Sequence, residues 1–328
     1  MKNKNRGIEF EQAKYICNKI KNEIGKIVVG YGEVVEDLLV CLISEGHMFM
    51  LGVPGIAKTT LAKTFSGVTG LSWSRIQFTQ DLLPSDIVGH YFFDQKTNDF
   101  KLRRGPVFNQ IILADEINRA PPKTQSALIE AMQERQVTIE GNTLSLPIPF
   151  LVIATKNPVE TEGVYPLPEA QLDRFLYRVN MDYLQADKEL EMLKLKNEQG
   201  AKPVKNMDKN MIESFVGLHH KVYADEAILN YILNILTETR NNDQLVMGAS
   251  PRAGEHLLYA AKAYALINGR DYLIPDDVKN VVPKVLSHRL ILSAESEFEG
   301  LTAEKIVDDI ISNVEVPELF GEKEMVME

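Results

Sequence analysis

A short apolar run that turns through glycines into a lysine and two threonines constrains the fold of this chain most strongly. The run lies at Met48–Thr60 and reads MFMLGVPGIAKTT. An apolar strand, a glycine-rich turn and Lys-Thr at the start of a helix are the pattern of a phosphate-binding loop, G-x-x-x-x-G-K-[ST]. Backbone N–H groups of such a turn and the positive end of the following helix surround the phosphates of a nucleotide. The predicted nucleotide-binding residues in this loop are Gly52, Val53, Pro54, Gly55, Ile56, Ala57, Lys58, Thr59 and Thr60.

Two side chains of the loop carry its predicted chemistry. Lys58 is expected to reach the β- and γ-phosphates and the Thr59 hydroxyl to coordinate Mg²⁺, so ATP and Mg²⁺ are the predicted cofactors. Ala57 departs from the pattern, because glycine is usual where the backbone takes a positive φ. An alanine held in the left-handed region is expected to cost about 1–2 kcal/mol. The alternative is a chance turn between a strand and a helix.

A second apolar strand lies within Gln110–Arg119, QIILADEINR, and ends in two adjacent acids. Its composition predicts a strand buried in a parallel sheet, and such sheets bind ligands at the carboxyl ends of their strands. Asp115 is predicted to accept hydrogen bonds from the water shell of Mg²⁺, and Glu116 to polarise the attacking water. The alternative is that this pair only caps the next helix.

Two further polar residues follow core elements. Asn157 comes just after the apolar strand Phe150–Thr155, where its amide could bind the γ-phosphate or the water, although an asparagine after a strand is more often a turn residue. Arg174 ends the short helix Glu169–Phe175 and is a candidate arginine finger, which reaches the γ-phosphate of a neighbouring subunit. The alternative for Arg174 is an ion pair with Asp173 or Glu169 on its own helix.

Two β-hairpins are predicted between the core strands. The segment 80–108 carries aromatic and apolar residues on two arms joined by a Lys-Thr-Asn-Asp turn, and the segment 136–147 alternates across a Gly-Asn turn. Earlier in the chain, Val29 and Gly30 lie in a loop between two predicted helices, where the backbone could hold an adenine ring. Periodicity also predicts helices at 10–27, 33–44, 60–67 and 123–135, and strands at 75–78 and 177–181.

The chain beyond Leu184 shows helical spacing without strand-like alternation, so we expect a helical domain at 184–328 after an α/β domain at 1–183. Ser250 and Pro251 are typical of a helix start and place Arg252 in the first turn. A cation there opposes the helix dipole and favours a bound anion, while the alternative is a salt bridge to Glu255. The predicted helices of this region are 188–199, 209–219, 225–239, 250–268, 275–287 and 302–314.

Taken in this order, the loop at 52–59 and the strings LADEINRA, ATKNP and PEAQLDRF resemble the AAA+ ATPases of the MoxR family over nearly the whole chain. The longer string DEINRAPPKTQSALIEAMQE is very specific to that family. The resemblance implies an AAA+ P-loop core, with a five-stranded parallel sheet, a helix-2 insert hairpin and a pre-sensor-1 hairpin, and an all-α C-terminal lid. By the same resemblance, Lys58 and Thr59 belong to the Walker A motif, Asp115 and Glu116 to the Walker B motif, and Asn157 is the sensor 1 residue.

The same resemblance implies that Arg174 acts in trans and that Arg252, in the Ser-Pro-Arg-Ala string, is sensor 2. Proteins of this family are expected to form hexameric rings and to couple ATP hydrolysis to chaperone-like remodelling, assembly or metal loading of other proteins. A partner with a von Willebrand factor A domain is often involved. The sequence does not identify the client.

Composition bears on the alternatives. The 328 residues are 45% hydrophobic and 25% charged, with a net charge of −10, which disfavours binding of nucleic acid through bulk positive charge. A helicase-like nucleic-acid motor is the alternative, since Lys96, Lys101, Arg103 and Arg104 on the first hairpin could face DNA. A nucleotide-gated scaffold with little turnover is a third hypothesis, suggested by Ala57.

Two cysteines, no apolar run near 18 residues and an N-terminus without an apolar segment predict a cytoplasmic protein. The segment 295–328 holds eleven acidic residues and two lysines, which marks either a solvated surface or a docking site for a basic partner.

Overall fold

The structure is a computed structural model that describes residues 2–159, 163–198 and 206–318. The chain divides into two units. One unit is Cys17–Val216, and the other joins Met1–Ile16 to Gly217–Glu328.

The unit Cys17–Val216 is built on a five-stranded sheet in the order β2-β5-β8-β1-β9, with every neighbouring pair parallel. This confirms the predicted α/β class. Parallel strands need crossover connections, and helices provide them here. The strands of this unit, which include two hairpins, are β1 (Met48–Gly52), β2 (Trp73–Gln77), β3 (Gly89–Asp94), β4 (Asp99–Arg104), β5 (Ile111–Asp115), β6 (Gln136–Ile139), β7 (Asn142–Ser145), β8 (Leu151–Lys156) and β9 (Tyr177–Met181).

The helices of this part of the chain lie close to where the apolar spacing predicts them, and the first of them runs from the second unit, which includes residues up to Ile16, into this one, which begins at Cys17. The first helix begins earlier than expected, and its predicted apolar positions Phe10, Ala13, Ile16, Ile20 and Ile24 are all buried. Short 3₁₀ turns follow at Pro106–Phe108 and Ile117–Arg119. The helices are α1 (Lys2–Gly25), α2 (Gly32–Ile43), α3 (Lys58–Thr69), α4 (Pro84–Val88), α5 (Pro122–Glu134), α6 (Glu169–Leu172), α7 (Ala186–Asn197) and α8 (Lys209–Phe215).

The two central strands explain why the sheet is stable. All residues of β5 are buried, as are the first five residues of β8, because helices cover both faces of a parallel sheet. The hydrophobic core around them extends to the two hairpins, where Tyr91, Leu102 and Leu144 pack against it partly buried. The core therefore holds the base of each hairpin and leaves the far ends exposed.

Both predicted hairpins are present. Strands β3 and β4 pair antiparallel from Gly89–Arg104 to Asp94–Asp99, and the connecting residues include the predicted turn. Strands β6 and β7 pair from Gln136–Ser145 to Ile139–Asn142 across the predicted Gly-containing turn. A short helix, α4, precedes the first hairpin and was not predicted from the sequence.

The second unit is mostly helical. Its long helix α10 begins where the sequence predicts, since Ser250 Oγ accepts from the backbone N–H of Ala253 at 3.2 Å and Pro251 occupies the first helical position. A 3₁₀ turn lies at Leu218–Lys221. The other elements are α9 (Glu226–Arg240), β10 (Leu245–Met247), α10 (Pro251–Ile267), α11 (Pro275–Leu286), β11 (Ile291–Leu292), α12 (Ala294–Phe298) and α13 (Ala303–Asn313).

The all-α prediction for this region is wrong in one respect. Strands β10 and β11 pair antiparallel, with Leu245 opposite Leu292 and Met247 opposite Ile291. Strands of three and two residues are too short to show an alternating pattern, and their partners lie far apart in the chain. Of the acidic segment 295–328, residues 319–328 lie outside the described residues, as does Gln199 at the end of one predicted helix.

Across the described residues, we find no helix whose length and apolar content would let it cross a membrane.

Candidate functional site

The predicted phosphate loop connects β1 to α3. It leaves the sheet at Gly52 and enters the helix at Lys58, so α3, twelve residues long, points its N-terminus at the loop. The Lys58 Nζ donates to the carbonyl oxygen of Gly52 at 2.5 Å, which folds the lysine back over the turn. Gly55 has φ +89°, a backbone conformation that side chains disfavour. The loop thus has the shape and the positive helix end that hold phosphates.

Ala57 occupies the left-handed region that its position in the motif predicts. Its φ is 69° and its ψ is 18°, and it is the residue immediately before α3. An L-residue with a Cβ in this conformation costs about 1–2 kcal/mol. The chain therefore carries strain in its phosphate loop that a glycine would relieve.

Asp115, at the end of β5, is buried and hydrogen-bonded at both carboxylate oxygens. Thr155 Oγ1 donates to its Oδ1 at 2.6 Å. Arg75 of β2 donates to its Oδ2 through Nε at 3.0 Å and Nη2 at 2.7 Å. These charge-assisted bonds fix the carboxylate at the carboxyl edge of the sheet.

Glu116, the next residue, has a left-handed backbone, with φ 56° and ψ 50°. Its backbone N–H donates to Thr155 Oγ1 at 2.9 Å. Its Oε2 accepts from Gln77 Nε2 at 2.8 Å and lies 3.1 Å from Nε of Arg119. The acid pair is therefore a held arrangement of two differently bonded carboxylates, which a simple helix cap would not need.

Asn157 follows β8, which lies between β5 and β1 in the sheet. The sheet order therefore places it at the carboxyl edge between the acid pair and the phosphate loop. The residue is buried, and its Oδ1 accepts from the backbone N–H of Val159 at 3.2 Å. This last bond is the turn geometry that the alternative interpretation expects, so the side chain has a structural role in addition to any catalytic one.

Val29 and Gly30 lie in a loop beside the start of the phosphate loop. Tyr31 Oη donates to the carbonyl oxygen of Asp182 at 3.1 Å, and Asp182 follows β9, whose Met181 pairs with Gly52. Burial, with the nearby charge of Asp182, raises the pKa of Tyr31 above its ordinary value, so the phenol stays a neutral donor. Val29 also lines a cavity of about 310 Å³ together with Lys26 and residues of α7.

Arg174 follows α6 in the same unit and is partly exposed. Its Nε donates to the carbonyl oxygen of Ala170 at 3.3 Å. Arg252 belongs to the other unit, where it lies exposed on the first turn of α10.

Sequence reasoning missed the residues that hold the acid pair, namely Arg75, Gln77, Arg119 and Thr155. Arg75 and Gln77 alternate along β2 and so point to the same side of the strand, and the register places Gln77 opposite Asp115. Thr155 is the one hydroxyl in the apolar string FLVIAT. A lone polar residue in a buried strand was the available signal, because buried hydroxyls need partners.

Comparisons with known proteins agree with this geometry. The profile described as "ATPase family associated with various cellular activities (AAA)" matches residues 47–177, and the profile of the AAA lid domain matches residues 237–310. Chaperone MoxR1 of Mycobacterium tuberculosis is 42% identical over 306 residues, covering 90% of this chain and 81% of that protein. The uncharacterized protein YeaC of Bacillus subtilis is 44% identical over 306 residues, covering 92% of this chain and 95% of its own. The crystal structure of a candidate ATPase from Cytophaga hutchinsonii superposes with a TM-score of 0.90 at 39% identity, covering 97% of this chain and 100% of that one.

The two profiles contain every predicted site residue except Val29 and Gly30. The match at 47–177 spans the phosphate loop, the acid pair, Asn157 and Arg174, and the lid match spans Arg252. Nucleotide binding and ATP hydrolysis are the chemistry of that family, and the sheet edge of this chain has the groups for both. The chain therefore belongs to the MoxR family of AAA+ ATPases.

Proposed function

We propose that this ATPase hydrolyses ATP·Mg²⁺ at the carboxyl edge of its sheet, in a ring of identical subunits, and uses the energy to remodel a client protein. The strand order β5-β8-β1 carries the proposal. It brings three segments that are distant in sequence to one edge, and these are the segments that end in the acid pair, Asn157 and the phosphate loop.

Mg²⁺ would be held by the Thr59 hydroxyl, by phosphate oxygens and by water that Asp115 orients. In the described residues no group of three or more His, Cys, Asp or Glu side chains forms a ready-made metal site. That fits Mg²⁺, which keeps several waters and usually takes one or two protein ligands beside the phosphates of its substrate. Asp115 is already fixed by Thr155 and Arg75, so it can orient such waters without reorganising.

Glu116 would serve as the general base for the attacking water. Its hydrogen bond from Gln77 and its ion pair with Arg119 hold the carboxylate in one position. Asn157, between the two motifs at the same edge, would bind the γ-phosphate or the water. The purine would lie against the loop at Val29 and Gly30, next to the start of the phosphate loop.

Two arginines would complete the site. Arg174 would act on the γ-phosphate of a neighbouring subunit, which its partial exposure and its weak bond to a single carbonyl oxygen permit. Arg252 would bring its charge to the nucleotide from the helical lid. We propose that this lid comprises residues 184–328 and that the nucleotide-binding core comprises residues 1–183. Both positive charges would stabilise the negative charge that develops on the phosphate oxygens during phosphoryl transfer. A hexamer is the expected ring.

The chaperone-like role rests on the name of a relative, Chaperone MoxR1, and on the first hairpin. Its side chains Phe92, Phe93 and Phe100 are 43%, 48% and 64% exposed, which is unusual for phenylalanines that belong to no interface. We propose that this hairpin contacts the client, and that a partner with a von Willebrand factor A domain takes part. Metal loading or assembly of the client are the expected outcomes.

The test of the site is Glu116→Gln, which keeps the side chain's shape and removes its basicity. We expect ATP to bind as in the wild type while turnover falls at least about 100-fold, the size of a general-base contribution. Glu45→Gln is the matched control, since Glu45 has the same φ of 56° but precedes β1 at the opposite end of that strand. Undiminished turnover in Glu116→Gln would refute the assignment. Capture of a protein by the ATP-bound variant would identify the client.

A further inference from the structure

The turn that follows the acid pair contacts the segment that leads to Arg174. Ile117–Arg119 is a 3₁₀ turn directly after Glu116. Tyr165, in the segment that continues into α6, donates its backbone N–H to the carbonyl oxygen of Asn118 at 2.6 Å. Two parts of the proposed catalytic machinery, far apart in sequence, are thus joined through main-chain atoms.

One side chain, Gln125 of α5, holds both parts. It is 0% exposed, and its Nε2 lies 3.2 Å from the carbonyl oxygen of Ile117, 3.1 Å from that of Ala120 and 3.0 Å from that of Tyr165. The amide nitrogen carries two hydrogens for three acceptors, so one hydrogen is shared between two carbonyl oxygens. Two of the acceptors belong to the acid-pair turn and one belongs to the Arg174 segment.

A second link runs from the next residue of α5. Gln171 of α6 donates from Nε2 to Ser126 Oγ at 3.3 Å. Arg174 follows α6, and its own N–H donates to the carbonyl oxygen of Gln171 at 3.2 Å. The start of α5 is therefore joined by two hydrogen bonds to the Arg174 segment, at Gln125 and Ser126, and by two more from Gln125 to the carbonyl oxygens of Ile117 and Ala120.

We propose that Gln125 is a positioning residue that couples the orientation of Glu116 to the position of Arg174. This inference rests on the proposed function for the roles of those two residues. Without the amide donor, three carbonyl oxygens would face one another in a buried space, and they would separate. The turn at Ile117 would then no longer hold Glu116 in its left-handed backbone conformation, and the Arg174 segment would lose its attachment to that turn.

Gln125→Met tests the proposal, because it keeps the length of the side chain and removes the donor. We expect kcat to fall about 10- to 100-fold, since misplacement of a catalytic group by 1 Å can cost about 100-fold. The Kd for a fluorescent ATP analogue should stay within about twofold, because the phosphate loop is not touched. Gln171→Leu, which removes the second link at a partly buried position, should lower kcat about two- to threefold.

The matched control is Gln110→Met. Gln110 is 2% exposed, and its Nε2 donates to the carbonyl oxygen of Ile148 at 3.0 Å and to Glu213 at 2.8 Å, at the start of β5 rather than its end. It should lose similar stability and leave kcat within about twofold. The proposal is overturned if kcat of Gln125→Met is unchanged, or if Gln110→Met lowers kcat as much.

Amide hydrogen exchange supplies a readout that needs no turnover. In Gln125→Met, exchange should accelerate together in the peptides covering residues 117–120 and 163–174, and neither should change in Gln110→Met. Unchanged protection in both peptides would refute the coupling even if the kcat of Gln125→Met falls. If instead Glu116→Gln hydrolyses ATP at the wild-type rate, the proposed function fails, and the exchange result still decides whether Gln125 joins the two segments.

Discussion

Thr155 is the residue on which the geometry of the acid pair depends most. Its side chain is fully buried, and its single hydroxyl donates to Asp115 Oδ1 at 2.6 Å while it accepts from the backbone N–H of Glu116 at 2.9 Å. One oxygen thus fixes both carboxylic residues. Thr155→Val keeps the shape of the side chain and removes both bonds.

The cost of this change follows from the two bonds. Losing a hydrogen bond to a charged group costs about 1.5–3 kcal/mol, and leaving a buried N–H without an acceptor costs about 1–3 kcal/mol. The two effects share one atom and do not add fully, so we expect a loss of about 2–5 kcal/mol. For a unit of this size that corresponds to a decrease in Tm of roughly 4–20 °C.

The activity should fall by more than the stability loss explains. At a temperature where the variant is folded by circular dichroism, we expect kcat to drop at least about 10-fold, because Glu116 and Asp115 both lose their orientation. ATP affinity, measured by equilibrium binding, should change little, since the two bonds of the Thr155 hydroxyl go to Asp115 and Glu116 and its strand partner on β1 is Met50, before the phosphate loop begins at Gly52.

Thr239→Val is the matched control. Thr239 is 1% exposed, and its hydroxyl likewise donates to a carbonyl oxygen, that of Leu236 at 2.6 Å, and accepts from a backbone N–H, that of Ala249 at 3.0 Å. It lies in the helical unit. A Thr155→Val enzyme that is folded and retains wild-type kcat, or a Thr239→Val enzyme that loses as much kcat, would refute the reasoning.

Three further outcomes are expected. In a denaturant titration, Ala57→Gly should keep or raise the free energy of unfolding, because relief of about 1–2 kcal/mol of left-handed strain exceeds the roughly 0.4–1 kcal/mol that the greater entropy of glycine in the unfolded chain costs. The control Ala127→Gly, inside α5, should lower the free energy of unfolding by about 1 kcal/mol in the same titration. A larger loss for Ala57→Gly than for Ala127→Gly would contradict the strain argument. Specific ATPase activity should rise with protein concentration, and turnover that does not depend on concentration would exclude an arginine finger acting in trans. Arg174→Ala should lower the activity at least about 10-fold, whereas the control Lys63→Ala, at an exposed position of α3, should not. Single-stranded DNA should leave the ATPase rate unchanged, and stimulation would instead favour the nucleic-acid motor.

Local sequence determined much of the site. The phosphate loop, the acid pair, the asparagine after β8 and the two hairpins each have a pattern that depends on residues close together in the chain. The φ of Ala57 could be predicted because the motif requires a left-handed residue there, whatever the residue is. The start of α10 at Ser250 and Pro251 could be predicted for the same reason, since capping depends on a few adjacent residues.

Pairings between distant residues required the tertiary structure. The bonds from Arg75 and Gln77 to the acid pair join strands some forty residues apart, and nothing in either strand alone indicates the partner. The strands β10 and β11 exist only because each pairs with the other, so neither shows a pattern of its own.

The sequence by itself thus determined which chemical groups this protein has and in what local conformations they lie. Only the tertiary structure decided how those groups are held. The order of strands in the sheet puts Thr155 beside Asp115 and Glu116, and the packing of α5 brings Gln125 to three carbonyl oxygens from two segments. The physical reason is that a hydrogen bond requires its donor and acceptor to be placed to within a few tenths of an ångström. That placement is set by how whole elements pack and not by residue type.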